Sequence, residues 1–147
     1  MIDNVEWTWT TEVKLPSAHR AGRAVLEELK RALKERNWTE HEIFGIRLAL
    51  EEGLANAIRH GNGSDHSKEV HVVCRLNSQQ LFVEIADEGE GFDPQLVPDC
   101  TAAENLHREC GRGIMLMRNY MSRVEYLDGG HRLVMEKSRS HPPLSGI

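Results

Sequence analysis

The sequence of 147 residues has few cysteines, few prolines and few aromatic residues. Its three cysteines, Cys74, Cys100 and Cys110, are odd in number and form no C-x-x-C pair. This pattern argues against the disulfide framework of a small secreted domain and favours a reducing compartment. Only 5 prolines and 12 glycines exclude a collagen-like chain, and 39% hydrophobic with 28% charged residues is typical of one globular domain.

The chain also lacks any apolar run of about 18 residues, the length that a membrane-spanning helix needs. Residues 1–15 have neither the basic region nor the apolar region of a signal peptide. A net charge of -5 argues against non-specific binding to nucleic acid or anionic lipid. These absences predict a cytoplasmic protein that contacts neither membrane nor nucleic acid directly.

Hydrophobic periodicity predicts an α+β protein. Alternating or apolar runs predict strands at 8–15, 69–76, 80–86, 124–127 and 131–137, the first of them at a sheet edge. Spacings of three and four predict helices at 18–36, 43–58 and 114–121. Thr39 followed by Glu42 has the pattern of a capping box, which marks the start of the second helix.

The second predicted helix carries a carboxylate and an amide on one side. At about 100° per residue, Glu52 lies about 160° from Leu54 and Asn56 about 40° from Glu52, so both are expected on a face turned away from the core. Ala49 and Gly53 are near that face and leave its surface shallow, which favours the close approach of a ligand. The alternative is a solvated Glu-Asn pair with incidental small neighbours.

A glycine-rich acidic segment, DEGEGFD, follows the third predicted strand at residues 87–93. Gly89 and Gly91 permit positive φ and close approach to the backbone, and Asp87 can accept a hydrogen bond from an exocyclic amine. The alternatives are a β-turn or a calcium loop. The calcium loop is disfavoured because the EF-hand spacing and its distal glutamate are missing.

Gly111, Arg112 and Gly113 open the third predicted helix after a long loop, Pro94 to Cys110, that has no period. Free backbone N–H groups at a helix start favour an anionic oxygen, so this is a phosphate-sized site, with a plain helix cap as the alternative. Neither the Rossmann fingerprint nor the P-loop string is present. A loop of this length inside a small domain is usually functional.

The same loop offers a weaker metal hypothesis. Cys100, His107 and Cys110 include an H-x-x-C spacing of the kind that binds zinc, but no fourth ligand is evident.

Taken in order, EEGLANAIRHG at 51–61, DEGEGFD at 87–93 and GRGIMLMRNYMSRVEY at 111–126 resemble the N, G1 and G2 boxes of the GHKL ATPase superfamily, whose nucleotide-binding domain is the Bergerat fold. Within it, the chain looks most like the anti-sigma-factor serine kinases of bacterial partner-switching modules, the RsbW type. The resemblance covers roughly residues 42–137. It implies a two-layer α/β sandwich with a mixed sheet covered by helices on one face. From its length the chain is expected to form one domain over residues 1–140, with a disordered tail at 141–147.

The resemblance also implies a role for each matched residue. These are Glu52 as general base, Asn56 as Mg²⁺ ligand, Arg59 and His60 near the phosphates, Asp87 at the adenine amine, Gly89 and Gly91 in the pocket floor, Gly111, Arg112 and Gly113 at the phosphates, and residues 94–110 as the ATP lid.

Two positions depart from the family pattern. Ser122 stands where an aspartate is frequent, after the helix that follows the G2 box. His131 stands where many members place a threonine near adenine, so purine affinity or specificity is the property that it affects.

The activity implied is an ATP- and Mg²⁺-dependent protein serine/threonine kinase that binds a sigma factor and phosphorylates a STAS-type anti-anti-sigma factor, as a homodimer. The alternative is a nucleotide-gated binding module without phosphoryl transfer. A two-component histidine kinase is disfavoured, because too few residues precede the second helix for a dimerisation helix pair with a phospho-accepting histidine.

Overall fold

The computed structural model describes residues 5–18, 20–63, 65, 67–89 and 112–139. Each predicted helix and strand is present there. The elements are β1 (Trp9–Pro16), α1 (Arg23–Glu35), α2 (Glu40–Asn56) continued by a π-helical turn (Ala57–Gly61), β2 (Glu69–Leu76), β3 (Gln80–Asp87), α3 (Arg112–Tyr120), β4 (Arg123–Leu127), a 3-10 turn (Asp128–Gly130) and β5 (Arg132–Ser138).

The five strands form one sheet in the order β1-β2-β3-β5-β4. The α+β class and the edge position of β1 are therefore confirmed, but the expected mixed sheet is wrong, because every neighbouring pair is antiparallel. β4 and β5 form a hairpin, and β5 is the strand that pairs with β3. β4, which runs in the direction of β3, is thereby separated from it, and no parallel pair arises.

Helices cover one face of this sheet, as the resemblance implied. Alternate residues of β2 and β3, such as Val72 and Val83, are buried beneath the helices. The opposite face carries polar pairs between neighbouring strands, such as the ion pair of Arg132 on β5 with Glu84 on β3 at 3.0 Å. One buried face and one polar face are what period-two alternation produces in an antiparallel sheet.

α2 begins with the predicted capping box. The Thr39 hydroxyl accepts a hydrogen bond from the Glu42 N–H at 3.1 Å, and the Glu42 carboxylate accepts one from the Thr39 N–H at 2.8 Å. α1 begins later than predicted, at Arg23. The residues before it form a turn, in which the Ser17 hydroxyl donates to the Lys68 carbonyl at 2.8 Å. This contact with a distant segment overrides the helical periodicity of residues 18–22.

The face of α2 that bears Ala49 and Gly53 contacts the sheet, so the expectation of a shallow face turned away from the core is wrong. A Cβ at Gly53 would lie 2.8 Å from Leu133 Cδ2 and 3.0 Å from Ile85 Cδ1. α2 is the central helix, in contact with α1 and α3 as well as resting on the sheet. Its small residues admit strand side chains, and the same packing buries Asn56 to 7% exposure.

No helix in the described ranges is both long and apolar enough to cross a membrane. Cys74 lies buried in β2 as a free thiol, and burial raises its pKa to about 12. Cys100, Cys110 and the predicted tail at 141–147 lie outside the described residues.

Candidate functional site

The end of α2 meets the strands at a hydrogen bond between Asn56 and Tyr126. Asn56 is the last residue of α2, and its Nδ2 donates to the Tyr126 hydroxyl of β4 at 3.2 Å. Sequence reasoning missed Tyr126, the residue that Asn56 contacts. It falls within the matched VEY segment, but no local pattern shows that it lies beside a residue 70 positions away.

Two carboxylates lie close enough to act on the same tyrosine. The pKa of Tyr126 is raised to about 12, mainly by burial and in addition by the negative charges of Glu52 and Asp87. The hydrogen bond from Asn56 and the positive charge of Arg118 act in the opposite direction. The structure therefore places Asn56 in contact with the Tyr126 hydroxyl, and Glu52 and Asp87 near enough for their charges to act on it.

Asp87, the last residue of β3, is held by the residue that precedes β5. Its Oδ1 accepts hydrogen bonds from the Gly89 N–H and from His131 Nδ1, both at 3.1 Å, and its own N–H donates to the His131 carbonyl at 2.9 Å. The Asp87 side chain is only 2% exposed. Burial raises its pKa, while the contacts with His131 and Gly89 oppose that rise.

The turn after β3 lies directly against the π-helical end of α2. A Cβ at Gly89 would lie 1.7 Å from the Gly61 carbonyl oxygen, and one at Gly61 would lie 2.1 Å from Asp87 Oδ2. Gly89 does not use the positive φ that a glycine permits. Position 89 requires a glycine because its backbone touches the backbone of Gly61, which leaves no room for a side chain. A π-helical turn is rare and frequently marks a functional site.

A buried amide fastens this turn to the rest of the fold. Asn62 Nδ2 donates to the Ser17 hydroxyl at 2.8 Å and to the Glu69 carbonyl at 3.1 Å, and its Oδ1 accepts from the Glu88 N–H at 2.8 Å. It joins the segments that follow β1, α2 and β3 to the start of β2. Sequence reasoning missed Asn62, because an asparagine between two glycines at a helix end has the pattern of a simple cap.

Only some of the remaining predicted site residues lie within the described ranges. Arg59 and His60 are exposed on the π-helical turn, and Arg112 and Gly113 form the start of α3. Gly91, Gly111 and the predicted lid at 94–110, with its hypothetical zinc ligands Cys100, His107 and Cys110, lie outside the described residues. Within the part of the chain that is described, no group of three His, Cys, Asp or Glu side chains could hold a metal ion.

The donor set suits a magnesium-bound nucleotide. Because Asn56 uses Nδ2 for Tyr126, its Oδ1 remains for a cation, and amide and carboxylate oxygens are the protein ligands that Mg²⁺ prefers. Glu52 lies one turn earlier on the same helix. The backbone N–H groups at the start of α3 suit phosphate oxygens.

Comparison with known proteins agrees with this geometry. Residues 15–137 match the family model of the histidine kinase-like ATPase domain. The chain is 29% identical to the serine/threonine-protein kinase BtrW of Bordetella bronchiseptica over 108 residues, which cover 71% of this chain and 75% of the relative.

Other relatives carry names of the same regulatory class. The chain is 29% identical over 105 residues to the anti-sigma F factor of Clostridium novyi, covering 67% of this chain and 73% of the relative. It is 27% identical over 119 residues to the serine-protein kinase RsbW of Bacillus subtilis, covering 77% and 74%.

A solved structure supports the fold. The crystal structure of the RsbU and RsbW domains of Rv1364c from Mycobacterium tuberculosis superposes with a TM-score of 0.60 at 18% identity, covering 90% of this chain and 32% of that one. The predicted membership is confirmed: the chain belongs to the family of histidine kinase-like ATPase domains, with relatives named as anti-sigma factors and RsbW-type kinases.

Proposed function

We propose that this chain is an ATP-dependent protein serine/threonine kinase that binds a sigma factor and phosphorylates a STAS-type anti-anti-sigma factor. The names of the relatives support the regulatory class, since they include an anti-sigma F factor and two protein kinases. The observation that supports the proposal is that Asn56 contacts Tyr126 while the charges of Glu52 and Asp87 act on the same tyrosine, as expected if these residues serve as cation ligand, base and amine acceptor of one site.

The reaction needs few groups from the protein. In phosphoryl transfer, the hydroxyl oxygen of the substrate forms a bond to the γ-phosphorus while the bond from that phosphorus to the leaving ADP oxygen breaks. Glu52 accepts the proton that the hydroxyl releases. Asn56 would hold Mg²⁺ through Oδ1, and the ion would supply positive charge to the phosphates during transfer.

The other site residues bind and orient the nucleotide. Asp87 accepts a hydrogen bond from the adenine amine, and Gly89 and Gly91 are assigned to the floor of the same pocket. The phosphates are assigned to Arg59 and His60 on the π-helical turn, to Arg112 and Gly113 at the start of α3, and to Gly111 before them in the sequence. Closure of the segment 94–110 over the nucleotide would exclude water from the reaction.

The partners belong to the same proposal. A sigma factor and a STAS-domain protein are the expected binding partners, and the active species is expected to be a homodimer. Partners can be recovered by a pull-down with and without ATP, followed by mapping of the phosphorylated hydroxyl on the antagonist. Size-exclusion chromatography with light scattering measures the oligomeric state.

Replacing Glu52 tests the kinase assignment. Glu52→Gln keeps the size of the side chain and removes the base, so we expect unchanged ATP affinity by calorimetry and labelling of the antagonist slowed about 100-fold or more. Glu51→Gln is the matched control: its carboxylate is the next one on α2 and pairs with Arg47 at 3.7 Å. It should phosphorylate at the wild-type rate.

Two results would count against the proposal. Equal labelling by wild type and Glu52→Gln would remove Glu52 from the role of base. If the wild type binds ATP and changes its affinity for the partner without transferring phosphate, the chain is a nucleotide-gated binding module.

A further inference from the structure

The carboxylate of Asp87 is fixed by a histidine from another strand connection. His131 lies just before β5 and contacts Asp87 twice, through Nδ1 to Oδ1 at 3.1 Å and through its carbonyl to the Asp87 N–H at 2.9 Å. The two residues are 44 positions apart in the sequence. The main-chain contact fixes the position of the Asp87 backbone, and the imidazole contact restricts rotation of its carboxylate.

These contacts give the two carboxylate oxygens of Asp87 different hydrogen-bonding roles. An ionised carboxylate only accepts hydrogen bonds, so Nδ1 of His131 carries the proton in this pair. Oδ1 accepts from both His131 and the Gly89 N–H. Within the described ranges no hydrogen-bond donor reaches Oδ2, and Gly61, which lies against it, has no side chain to fill the space beside that oxygen. Oδ2 is thus the atom available to a ligand.

An acceptor at Oδ2 distinguishes between purines. The 6-amino group of adenine donates a hydrogen bond, whereas a 6-oxo purine presents a second acceptor to the carboxylate. A protonated Asp87 could donate to that oxo group and would lose the distinction. Burial raises the pKa of Asp87 and so favours the protonated form, whereas the hydrogen bond and charge of His131 oppose it.

Resting on the nucleotide site proposed above, we propose that His131 is a positioning residue for the purine: it holds Asp87 as an acceptor with Oδ2 free, and thereby sets a preference for amino over oxo purines.

The test measures the affinities of ATP and inosine triphosphate, which carries a carbonyl oxygen in place of the 6-amino group. Calorimetry on His131→Ala should show the ratio of the two affinities reduced about tenfold relative to wild type, since a hydrogen bond to a charged group is lost. His131→Asn places an amide N–H near the position of Nδ1 and should restore the ratio. His131→Gln places its amide farther out and should not.

His71→Ala is the matched control. His71 pairs with the carboxylate of Glu12 at 2.7 Å on the open face of the sheet, so its loss removes a similar pair away from the site and should leave the ratio unchanged.

The outcomes separate the two proposals. Wild-type protein that binds neither nucleotide would overturn the nucleotide site itself. Wild-type preference for ATP that persists in His131→Ala, or a ratio in His131→Asn as low as in His131→Ala, would overturn the role of His131 alone. An equal loss of affinity for both nucleotides in His131→Ala would also overturn it, because a contact that only maintains the structure would weaken the binding of both alike.

Discussion

Two buried asparagines six positions apart show how one side chain can serve either the fold or a ligand. Asn62, 3% exposed, uses both polar atoms in three hydrogen bonds, two of them to backbone groups of distant segments. Asn56, 7% exposed, makes one side-chain hydrogen bond to the described residues, from Nδ2 to Tyr126. An amide whose atoms are all satisfied holds the backbone, whereas an amide with a free oxygen is available to a cation.

The comparison also explains the layout of the site. Asn62 fixes the turn that contains Glu88 and Gly89, immediately after Asp87, so the proposed acceptor for a purine is attached to the core. Asn56 lies one turn after Glu52 on α2, and no donor among the described residues reaches its Oδ1. Asn62 therefore anchors the candidate site, and the proposed cation ligand lies six residues before it.

The largest expected effect on stability comes from removing the anchor. Asn62→Ala deletes three hydrogen bonds and leaves buried groups of Ser17, Glu69 and Glu88 without these partners. At about 1 kcal/mol for each bond, the free energy of unfolding should fall by about 3 kcal/mol. Chemical denaturation measures this change.

The control for that experiment is an exposed amide. Asn119→Ala on α3 removes an asparagine that is exposed, so its free energy of unfolding should stay within about 0.5 kcal/mol of wild type. Equal stability of the Asn62 and Asn119 variants would mean that the buried amide is not an anchor.

A smaller effect on stability, with a larger effect on ligand binding, is expected for Asn56→Ala. It deletes one hydrogen bond, so unfolding should become easier by only about 1 kcal/mol, while Mg²⁺-dependent ATP binding is lost. Denaturation and calorimetry with and without Mg²⁺ measure the two quantities. A loss of stability as large as that of Asn62→Ala, with unchanged nucleotide affinity, would erase the distinction between the two amides.

The elements of the fold could be predicted from local patterns, because alternation and capping depend on neighbouring residues. β2 occupies the predicted residues, and the capping box at Thr39 forms as expected. The start of α1 and the strand order could not be predicted this way. Both depend on contacts between distant segments, such as Ser17 with Lys68 and β5 with β3.

The residues of the candidate site likewise divide into those that local patterns reveal and those that depend on distant contacts. Glu52 and Asn56 could be found because their spacing on one helix is local, and Asp87 because an acidic glycine turn follows a strand. The contacts of Tyr126, Asn62 and His131 could not, because each joins residues 44 to 70 positions apart. For His131, the family resemblance indicates an effect on the purine but not the contact with Asp87. The helical wheel also misplaced Asn56, since it treats α2 as having one buried side whereas the central helix is covered on several.

The smallest expected effect concerns the hydroxyl that Asn56 contacts, and it appears only at alkaline pH. The pKa of Tyr126 is raised from 10.0 to about 12, first by burial and then by the charges of Glu52 and Asp87, against the opposing hydrogen bond from Asn56. Its neutral form therefore contributes to stability fully below pH 10, and the contribution is lost as the pH rises from about 10 towards 12.

Ultraviolet absorbance of wild type minus Tyr126→Phe isolates this titration from that of the other tyrosine. The difference should appear near pH 12 in the folded protein and near pH 10 in denaturant, where burial and the neighbouring charges are removed. A folded-state titration near pH 10 would show that water reaches the hydroxyl. The amide of Asn56 would then lack the buried partner that directs its oxygen to a cation, and its distinction from Asn62 would have no structural basis.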